Sequence, residues 1–311
     1  MARPQRGTAA CSSPEPDLLN SAKEAPLEAP PDTGWQQYLI EFADPADALR
    51  TAARELAPAL DDALNVGELR GWWYIRKTPA WRLRCQQTDP GSKTVDLLLA
   101  DLATRGHVAR WTRGIYEPET LAFGGRAGMD IAHTLFHEDS QHVLARVREP
   151  VPTAGLGQRE TTVLLYSAML RAAGLDWFEQ GDTWAKVTAL RPTNPTQTAT
   201  PERSQRLRHG IRTLMAADPR GLADHLPATW LSAFITAGEQ LATLARWGQL
   251  ERGLRAILAH HFIFHANRAD LSTTDQASMA SRAVGTVFHE HLHVVPDRRT
   301  LDRSLFCMER E

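Results

Sequence analysis

Side chains that could bind an anion or a peptide group are concentrated in the stretch WWYIRKTPAWRLR, residues 72–84. Arg82 and Arg84 are two positions apart, and residues with this spacing on a β-strand project to the same side. Arg76 can join them from the neighbouring strand. Guanidinium groups gathered on one face require carboxylate or peptide-carbonyl partners. The cluster therefore predicts either a substrate-binding surface or ion pairs with acidic residues of a covering helix.

Aromatic residues accompany these arginines on both predicted strands. Trp72, Trp73 and Tyr74 precede Arg76, and Trp81 precedes Arg82. Aromatic walls that carry a few polar groups are a common way to hold peptides and heterocycles. This neighbourhood favours the substrate-binding interpretation of the arginine cluster.

Two other stretches carry groups that can exchange protons. YEPETLAFGG, residues 116–125, places Tyr116 and Glu119 at the end of a predicted strand and before a Gly-Gly turn, which permits positive φ and close approach of another segment or a ligand. HFIFHANR, residues 261–268, brings His265, Asn267 and Arg268 together at the end of an apolar run that fits either a strand or the start of a helix. A histidine in such a run is more often a core residue than a catalyst.

Residues 289–293, HEHLH, match the H-E-x-x-H pattern, in which two histidines one helical turn apart bind zinc and the glutamate acts as a base. A catalytic zinc site needs a third protein ligand, and no histidine follows His293. The remaining oxygen ligands are Asp297, Asp302, Glu309 and Glu311. Pro296 also disfavours helical geometry at the residue before it. We therefore expect no metal, and a zinc protease is the alternative that metal analysis would decide.

The elements that must position these groups follow from hydrophobic periodicity. Strands are predicted at 35–42, on both sides of KTP within 69–86, and from residue 107, with helices at 44–65 and 94–105. From Gly128 onward the pattern is helical, with breaks at 149–157, at 190–202 and near Asp218. Strands early and helices late indicate an α+β fold, an antiparallel sheet in the N-terminal half packed against a mostly helical C-terminal half.

Composition restricts the class of protein. The chain has 311 residues, 42% hydrophobic and 23% charged, and its net charge of −2 disfavours a nucleic-acid or anionic-membrane partner. Three cysteines at unrelated spacings, and no apolar stretch of the length that a membrane span needs, favour a cytoplasmic protein. Residues 1–33, rich in Pro, Ala, Ser and Glu, are expected to be a disordered tail. Residues 34–311 are expected to form a single catalytic domain.

In series, these stretches resemble the C-terminal domain of lantibiotic dehydratases and its stand-alone relatives in thiopeptide biosynthesis. The resemblance is carried, over about residues 35–290, by WWYIRKTPAWRLR, YEPETLAFGG, MDIAHTLFHEDS, LLYSAMLRAAGLDWFEQGDTWAKV and FHANR, in that order. One branch of this group removes glutamate from glutamylated Ser or Thr. Another branch, the pyridine synthases, joins two dehydroalanines of a thiazole-bearing peptide in a formal aza-[4+2] cycloaddition and expels the leader peptide.

Departures from the eliminating branch favour cyclisation. That branch resembles R-Y-x-D-P-x-x-H-L-R-L-R followed by Y-x-x-E-x-x-R-Y-G-G. This chain has Lys77 in place of the aromatic, Trp81 in place of the His, and Ala122-Phe123 in place of Arg-Tyr. A missing cation at 122 would weaken stabilisation of a departing carboxylate by about 2–4 kcal/mol. RKTPAWRLR and DWFEQGD are more similar to the pyridine synthases, so elimination is the alternative.

The resemblance implies roles for individual residues. Tyr116, Glu119 and His265 are the expected catalytic groups, with Tyr116 and His265 as acid and base for the iminol tautomer and for aromatisation. Peptide carbonyls or the leader would be held by Arg76, Arg82 and Arg84. Azole rings would stack on Trp72, Trp81 and Phe123. Asn267 and Arg268 would orient the peptide, and no cofactor is required.

The expected partner is a modified precursor peptide that consists of a leader and a core with thiazoles and dehydroalanines. A homodimer is compatible with the sequence. A non-catalytic scaffold that binds the leader is a further alternative, which an activity measurement would decide.

Overall fold

The computed structural model describes residues 34–149, 156–192, 201–218 and 226–288, apart from the side chains of residues 201–205 and 207. Within this part of the chain, four strands form an antiparallel sheet in the order β2-β3-β1-β4. They are β1 (Trp35–Phe42), β2 (Leu69–Ile75), β3 (Trp81–Gln87) and β4 (Val108–Gly114). The sequence predicted all four, because each combines β-branched or aromatic residues with polar ones in a short run.

The two faces of the sheet differ because successive residues of a strand point to opposite sides. Trp72, Tyr74 and Leu83 belong to a core that is shared with Leu60 and Leu99 of the early helices. The elements on this side are α1 (Ala48–Thr51), a π-helical turn (Ala52–Leu56), α2 (Ala57–Asn65) and α3 (Thr94–Thr104). Trp73 belongs to a separate aromatic cluster with Phe136 and Phe264, so it faces the later helices.

The C-terminal half is helical in its described parts, as the periodicity predicted. Its helices are α4 (Arg126–Arg148), α5 (Gln158–Ala172), α6 (Trp177–Leu190), α7 (Pro201–Ala216), α8 (Ala228–Arg246), α9 (Leu254–Arg268) and α10 (Thr273–Phe288). Every residue from Glu160 to Leu170 of α5 is buried, so α5 is the centre of the largest core. Asp176 and Glu179 form a capping box at the start of α6, with N···O distances of 2.8 and 3.0 Å. The fold is therefore α+β.

Helices α4 and α9 join the helical part to the sheet. The Asn267 side chain accepts from the Arg76 backbone N–H at 2.7 Å and donates to the Arg76 carbonyl at 2.9 Å. The hydroxyl of Tyr74 donates to the carbonyl of Arg268 at 3.1 Å. HFIFHANR lies in the second half of α9, so of the two predicted conformations the helix is observed. The sheet edge and the end of α9 are thereby fixed together.

Two predictions concern residues outside the described ranges: the disordered tail at 1–33 and the HEHLH motif at 289–293. Both stay predictions, as does the single-domain assignment of 34–311. Among the described helices, none combines the length and the apolar character that a membrane crossing requires.

Candidate functional site

A buried arginine occupies the centre of the sheet face that the later helices cover. Arg84 is 1% exposed, and its Nε donates to Oε1 of Gln37 at 3.0 Å. Its guanidinium carbon lies 4.3 Å from the ring centroid of Trp73 and 5.1 Å from that of Tyr116. Burial lowers the pKa of Arg84 to about 10, against the opposite effect of Tyr116 and Glu119. At neutral pH the guanidinium is still a cation, so its contacts with the two aromatic rings are cation–π interactions.

Tyr116 and His133 form a hydrogen-bonded pair beside this cation. The Tyr116 hydroxyl lies 2.7 Å from Nε2 of His133, which is located on α4 and is 7% exposed. Burial raises the pKa of Tyr116 although Arg84 opposes the effect. Burial and then Arg84 lower the pKa of His133 to about 4. At neutral pH the pair consists of a phenol and a neutral imidazole, which can give and take a proton without a standing charge.

Aromatic rings and unpaired polar atoms surround this pair. Phe123 is fully buried and contacts Phe136, Phe264 and His261, with centroid distances of 5.3, 5.0 and 5.0 Å. Among the buried atoms without a hydrogen-bond partner in the described residues are Nε1 of Trp73, Nη1 of Arg84 and Oε2 of Glu119. Buried polar atoms are nearly always paired, so these are candidates to bind substrate or water.

The structure brings together four of the residues that the sequence singled out: Arg84, Tyr116, Glu119 and Phe123. Arg82 lies on the same side of β3 as Arg84 and is half-buried. Its side chain makes no hydrogen bond to a described residue. We name Arg84, Tyr116, Glu119 and His133, with the rings of Trp73 and Phe123, the sheet-side site.

His265 and Arg268 belong to a separate, fully buried network around Asp139 of α4. Asp139 accepts from His265 Nδ1 at 2.9 Å, from Arg268 Nε at 2.7 Å and from Trp230 Nε1 at 2.8 Å. Nε2 of His265 lies 3.0 Å from the hydroxyl of Thr162. Burial alone would raise the pKa of Asp139, but His265 and Arg268 outweigh it and hold the pKa below its usual range. Both ring nitrogens of His265 are therefore engaged within the protein, and its catalytic role stays a prediction.

Arg76 and Asn267 have structural contacts at the other end of the sheet. Arg76 forms an ion pair with Asp270, and Asn267 uses its amide on the backbone of Arg76. The ion pair is the alternative that the sequence left open for any single arginine of the cluster. Peptide binding by these two side chains stays a prediction.

The single aromatic wall expected from the sequence is divided by the sheet. Trp72 is fully buried and donates from Nε1 to Asp61 at 3.2 Å. Trp81 stacks on Tyr74 with a centroid distance of 5.0 Å and is 7% exposed. Because both belong to the core on the opposite side from Trp73, they have no contact with the sheet-side site. Trp73, which the sequence did not single out as a binding residue, lies beside Arg84 instead.

His133 is the functional candidate that sequence reasoning missed. It lies in MDIAHTLFHEDS within the buried stripe of α4, which includes Met129, Ala132 and Phe136. A histidine in an apolar stripe usually belongs to the core, and only the contact with Tyr116 distinguishes this one. No sequence spacing relates residues 116 and 133, because a loop and a helix start separate them.

The Gly-Gly turn owes its sequence to close approach by another part of the chain. Gly124 and Gly125 have φ of 88° and 98°, and Glu251 N–H donates to the Gly124 carbonyl at 3.0 Å. A Cβ at Gly124 would lie 2.4 Å from Cδ1 of Ile257. Of the two readings of this turn, a tight bend against a neighbouring segment is the one observed.

Among the described residues, no three His, Cys, Asp or Glu side chains come together as a metal site requires.

Residues 35–286 match the family described as "Lantibiotic biosynthesis dehydratase C-term". The chain belongs to this family. The match to the lantibiotic dehydratase C-terminal family includes the whole sheet and both helices, α4 and α9, that border the sheet-side site.

Solved structures share the fold of this family member. MibB, a tRNA dependent lantibiotic dehydratase from Microbispora sp. 107891, aligns with a TM-score of 0.58 at 20% identity, over 83% of this chain and 28% of MibB. TsrL aligns with a TM-score of 0.54 at 17% identity, over 81% of this chain and 93% of TsrL. The pyridine synthase TbtD from thiomuracin biosynthesis aligns with a TM-score of 0.52 at 14% identity, over 81% of this chain and 97% of TbtD. No curated protein matches the sequence.

Proposed function

We propose that this chain is a pyridine synthase, which joins two dehydroalanines of a thiazole-bearing precursor peptide in a formal aza-[4+2] cycloaddition. Cyclisation forms two C–C bonds between a 2-azadiene, the iminol tautomer of one peptide amide, and the alkene of the other dehydroalanine. The iminol oxygen then leaves as water, and the leader peptide leaves as a C-terminal amide. We infer a cytoplasmic enzyme that needs no cofactor.

The observation that carries the proposal is the uncharged Tyr116–His133 pair beside Arg84. Tautomerisation of an amide requires a proton at oxygen and removal of a proton at nitrogen, so a donor and an acceptor in contact suit it. Burial and Arg84 lower the pKa of His133 to about 4, so the imidazole is neutral at pH 7 and can take the amide proton while the Tyr116 hydroxyl gives one to the oxygen. The same pair can assist the loss of water.

Aromatic packing supports the same proposal. The rings of Trp73 and Phe123 provide apolar surface next to the donors of Arg84, as a peptide with azole rings would need. Holding diene and dienophile in contact can contribute about 7–11 kcal/mol through effective molarity. Ala122 and Phe123, in place of the Arg-Tyr of the eliminating pattern, are consistent with a site that does not expel glutamate.

Glutamate elimination is the second candidate, and one observation favours it. Nη1 of Arg84 is a buried charged donor without a partner among the described residues, and a glutamyl carboxylate would satisfy it. Both reactions act on a modified precursor peptide. Elimination breaks the Cβ–O bond of a glutamylated residue, whereas cyclisation joins two dehydroalanines through two C–C bonds and releases water and the leader.

The deciding experiment gives the purified protein two synthetic peptides. The first has a leader, thiazoles and two dehydroalanines, and the second carries a glutamylated serine. Cyclisation predicts a pyridine product and a leader with a C-terminal amide by mass spectrometry. Loss of glutamate from the second peptide without release of leader identifies elimination. Binding without either product would identify the scaffold.

Tyr116→Phe should bind the first peptide but cyclise it more slowly by about 10²–10⁴-fold, the range for a positioned acid or base. Tyr38→Phe is the matched control, because its hydroxyl bonds to Gln36 at 3.0 Å on β1 and takes no part in the sheet-side site. His265→Ala in the same assay tests the role that the sequence predicted. Parent rates for Tyr116→Phe would contradict the proposed chemistry of the pair.

A further inference from the structure

Arg252 lies in the connection between α8 and α9 and borders the sheet-side site. Its Nη1 donates to the Ala122 carbonyl at 3.1 Å and lies 3.3 Å from Nδ1 of His260. Neither Nε nor Nη2 has a hydrogen-bond partner among the described residues, and the side chain is half-buried rather than enclosed. A guanidinium prefers to use its donors in pairs, so this one offers an unused fork.

The position of Arg252 is fixed by the Gly-Gly turn. The backbone N–H of its neighbour Glu251 donates to the Gly124 carbonyl at 3.0 Å. Nη1 of Arg252 donates to the carbonyl of Ala122, two residues before Gly124. The connection therefore lies against the turn that leads from Glu119 and Phe123 into α4. Because the Arg252 side chain already contacts the Ala122 carbonyl and His260, it loses less conformational entropy when it binds a ligand.

Arg252 is next to groups of the sheet-side site, and unlike Arg255 it forms no ion pair with a described residue. His260, its second contact, lies 6.3 Å from Phe123 between ring centroids. Arg255, three residues later, is paired with Asp182 at 2.5 Å and with Glu179 at 3.2 Å. Among the described residues Arg252 has no carboxylate partner.

We propose that Arg252 binds an oxygen acceptor of the precursor peptide, at a subsite on the α8–α9 connection next to Phe123. The acceptor is a carboxylate or a backbone carbonyl, because both match the guanidinium fork. This inference rests on the proposed peptide substrate, and it does not depend on which of the two reactions follows. Arg252 is a binding residue here and takes no part in proton transfer.

The test measures the affinity of the full-length protein for a fluorescently labelled precursor peptide by anisotropy. Arg252→Met should weaken binding by about tenfold or more, the effect of a lost charge-assisted hydrogen bond. Arg255→Met, the matched control in the first turn of α9, should bind as the parent does. Peptides in which the acidic side chains are replaced by their amides separate the sources. These peptides should bind the parent more weakly if Arg252 holds a carboxylate, and as tightly as before if it holds a backbone carbonyl.

Arg252→Gln keeps the subsite testable if the Met variant does not fold, because its amide can still donate to the Ala122 carbonyl. Parent affinity in a folded Arg252→Met or Arg252→Gln protein would overturn the inference. A parent protein that binds the peptide through Arg252 but releases neither pyridine nor glutamate would overturn the proposed function, and would still support the subsite.

Discussion

At the scale of single residues, two buried arginines differ in one partner. Both lie against aromatic rings, but Nε of Arg268 bonds to Asp139 at 2.7 Å, whereas Nε of Arg84 bonds to a glutamine amide. Burial of a guanidinium without a bonded carboxylate is costly, and such groups are concentrated at functional sites. Arg84 is therefore a buried cation without a bonded carboxylate, and its charge acts on His133 next to it.

The effect of Arg84 on His133 can be measured directly. Removing the cation in Arg84→Met should raise the pKa of His133 from about 4, because the guanidinium is one of the two causes that lower it. NMR titration of the His133 ring protons reports the change without any need for substrate. Arg82→Met is the control, since that residue is on the same strand but is not among the causes. An unchanged His133 titration in Arg84→Met would disprove the coupling.

Residue spacing predicted part of the site and could not predict the rest. The two-residue period placed Arg82 and Arg84 on one side, which is observed, and the same period separates Trp72 from Trp73. The aromatic wall was expected from proximity in sequence, and the pleat divides it. His133 meets Tyr116 through tertiary packing, on which local periodicity carries no information.

At the scale of elements, the site depends on how a turn, a helix start and α9 fit together. Gly124 has φ of 88°, and a Cβ there would lie 2.4 Å from Ile257 Cδ1 and 3.1 Å from Leu250 Cδ2. Ile257 is fully buried in α9, so its side chain has little room to move. Backbone conformation and packing both require glycine at this position.

Gly124→Ala should lower the free energy of unfolding by about 2–4 kcal/mol, from overpacking together with the left-handed backbone. Gly106→Ala is the control for the backbone alone, because it has φ of 79° and nothing within 4 Å of the added Cβ. Ile257→Val removes Cδ1, so the double variant with Gly124→Ala should lose less stability than the sum of the two single variants. Strict additivity in urea unfolding would show that the contact is not the cause.

The strands and α3 were predictable because each has a clear period and lies between turn residues. HFIFHANR was ambiguous, since four apolar residues among two histidines have no strong period and fit either conformation. The structure resolves it through context: α9 packs against α4, α6 and β2, and a buried helix can be apolar on all sides. Existence of the element was predictable, and its type was not.

At the scale of the whole molecule, buried ionisable groups tie the helices to one another. Asp139 of α4 connects Trp230 of α8 with His265 and Arg268 of α9, and Thr162 of α5 closes the network. Removing one partner of such a network usually costs about 3–5 kcal/mol, because the others are left buried and uncompensated. The network fixes the end of α9, which bonds to the sheet through Asn267 and Arg268, against α4, α5 and α8.

Two buried histidines make the stability of the fold depend on pH. Burial lowers the pKa of His261 to about 3 and, with Arg84, that of His133 to about 4, below the ordinary value near 6.5. Between these values the unfolded chain binds protons that the native protein does not, so stability falls as the pH falls from 6.5. Asp139, whose pKa is lowered from 3.8, loses its contribution only at more acidic pH.

His261→Phe should therefore flatten the pH dependence of stability. Phenylalanine fits the surroundings, because neither ring nitrogen of His261 has a hydrogen-bond partner among the described residues and the ring contacts those of Phe123 and Phe136. Each histidine contributes at most about 1.4 kcal/mol per pH unit, so between pH 7.5 and 5.0 the variant should lose about 2 kcal/mol less than the parent in urea unfolding. Phe262→Leu, a core change at the next position, should lower stability equally at both pH values. If His261→Phe and the parent lose the same stability, the imidazole is protonated in the folded protein and the enclosed, neutral environment assigned to it is wrong.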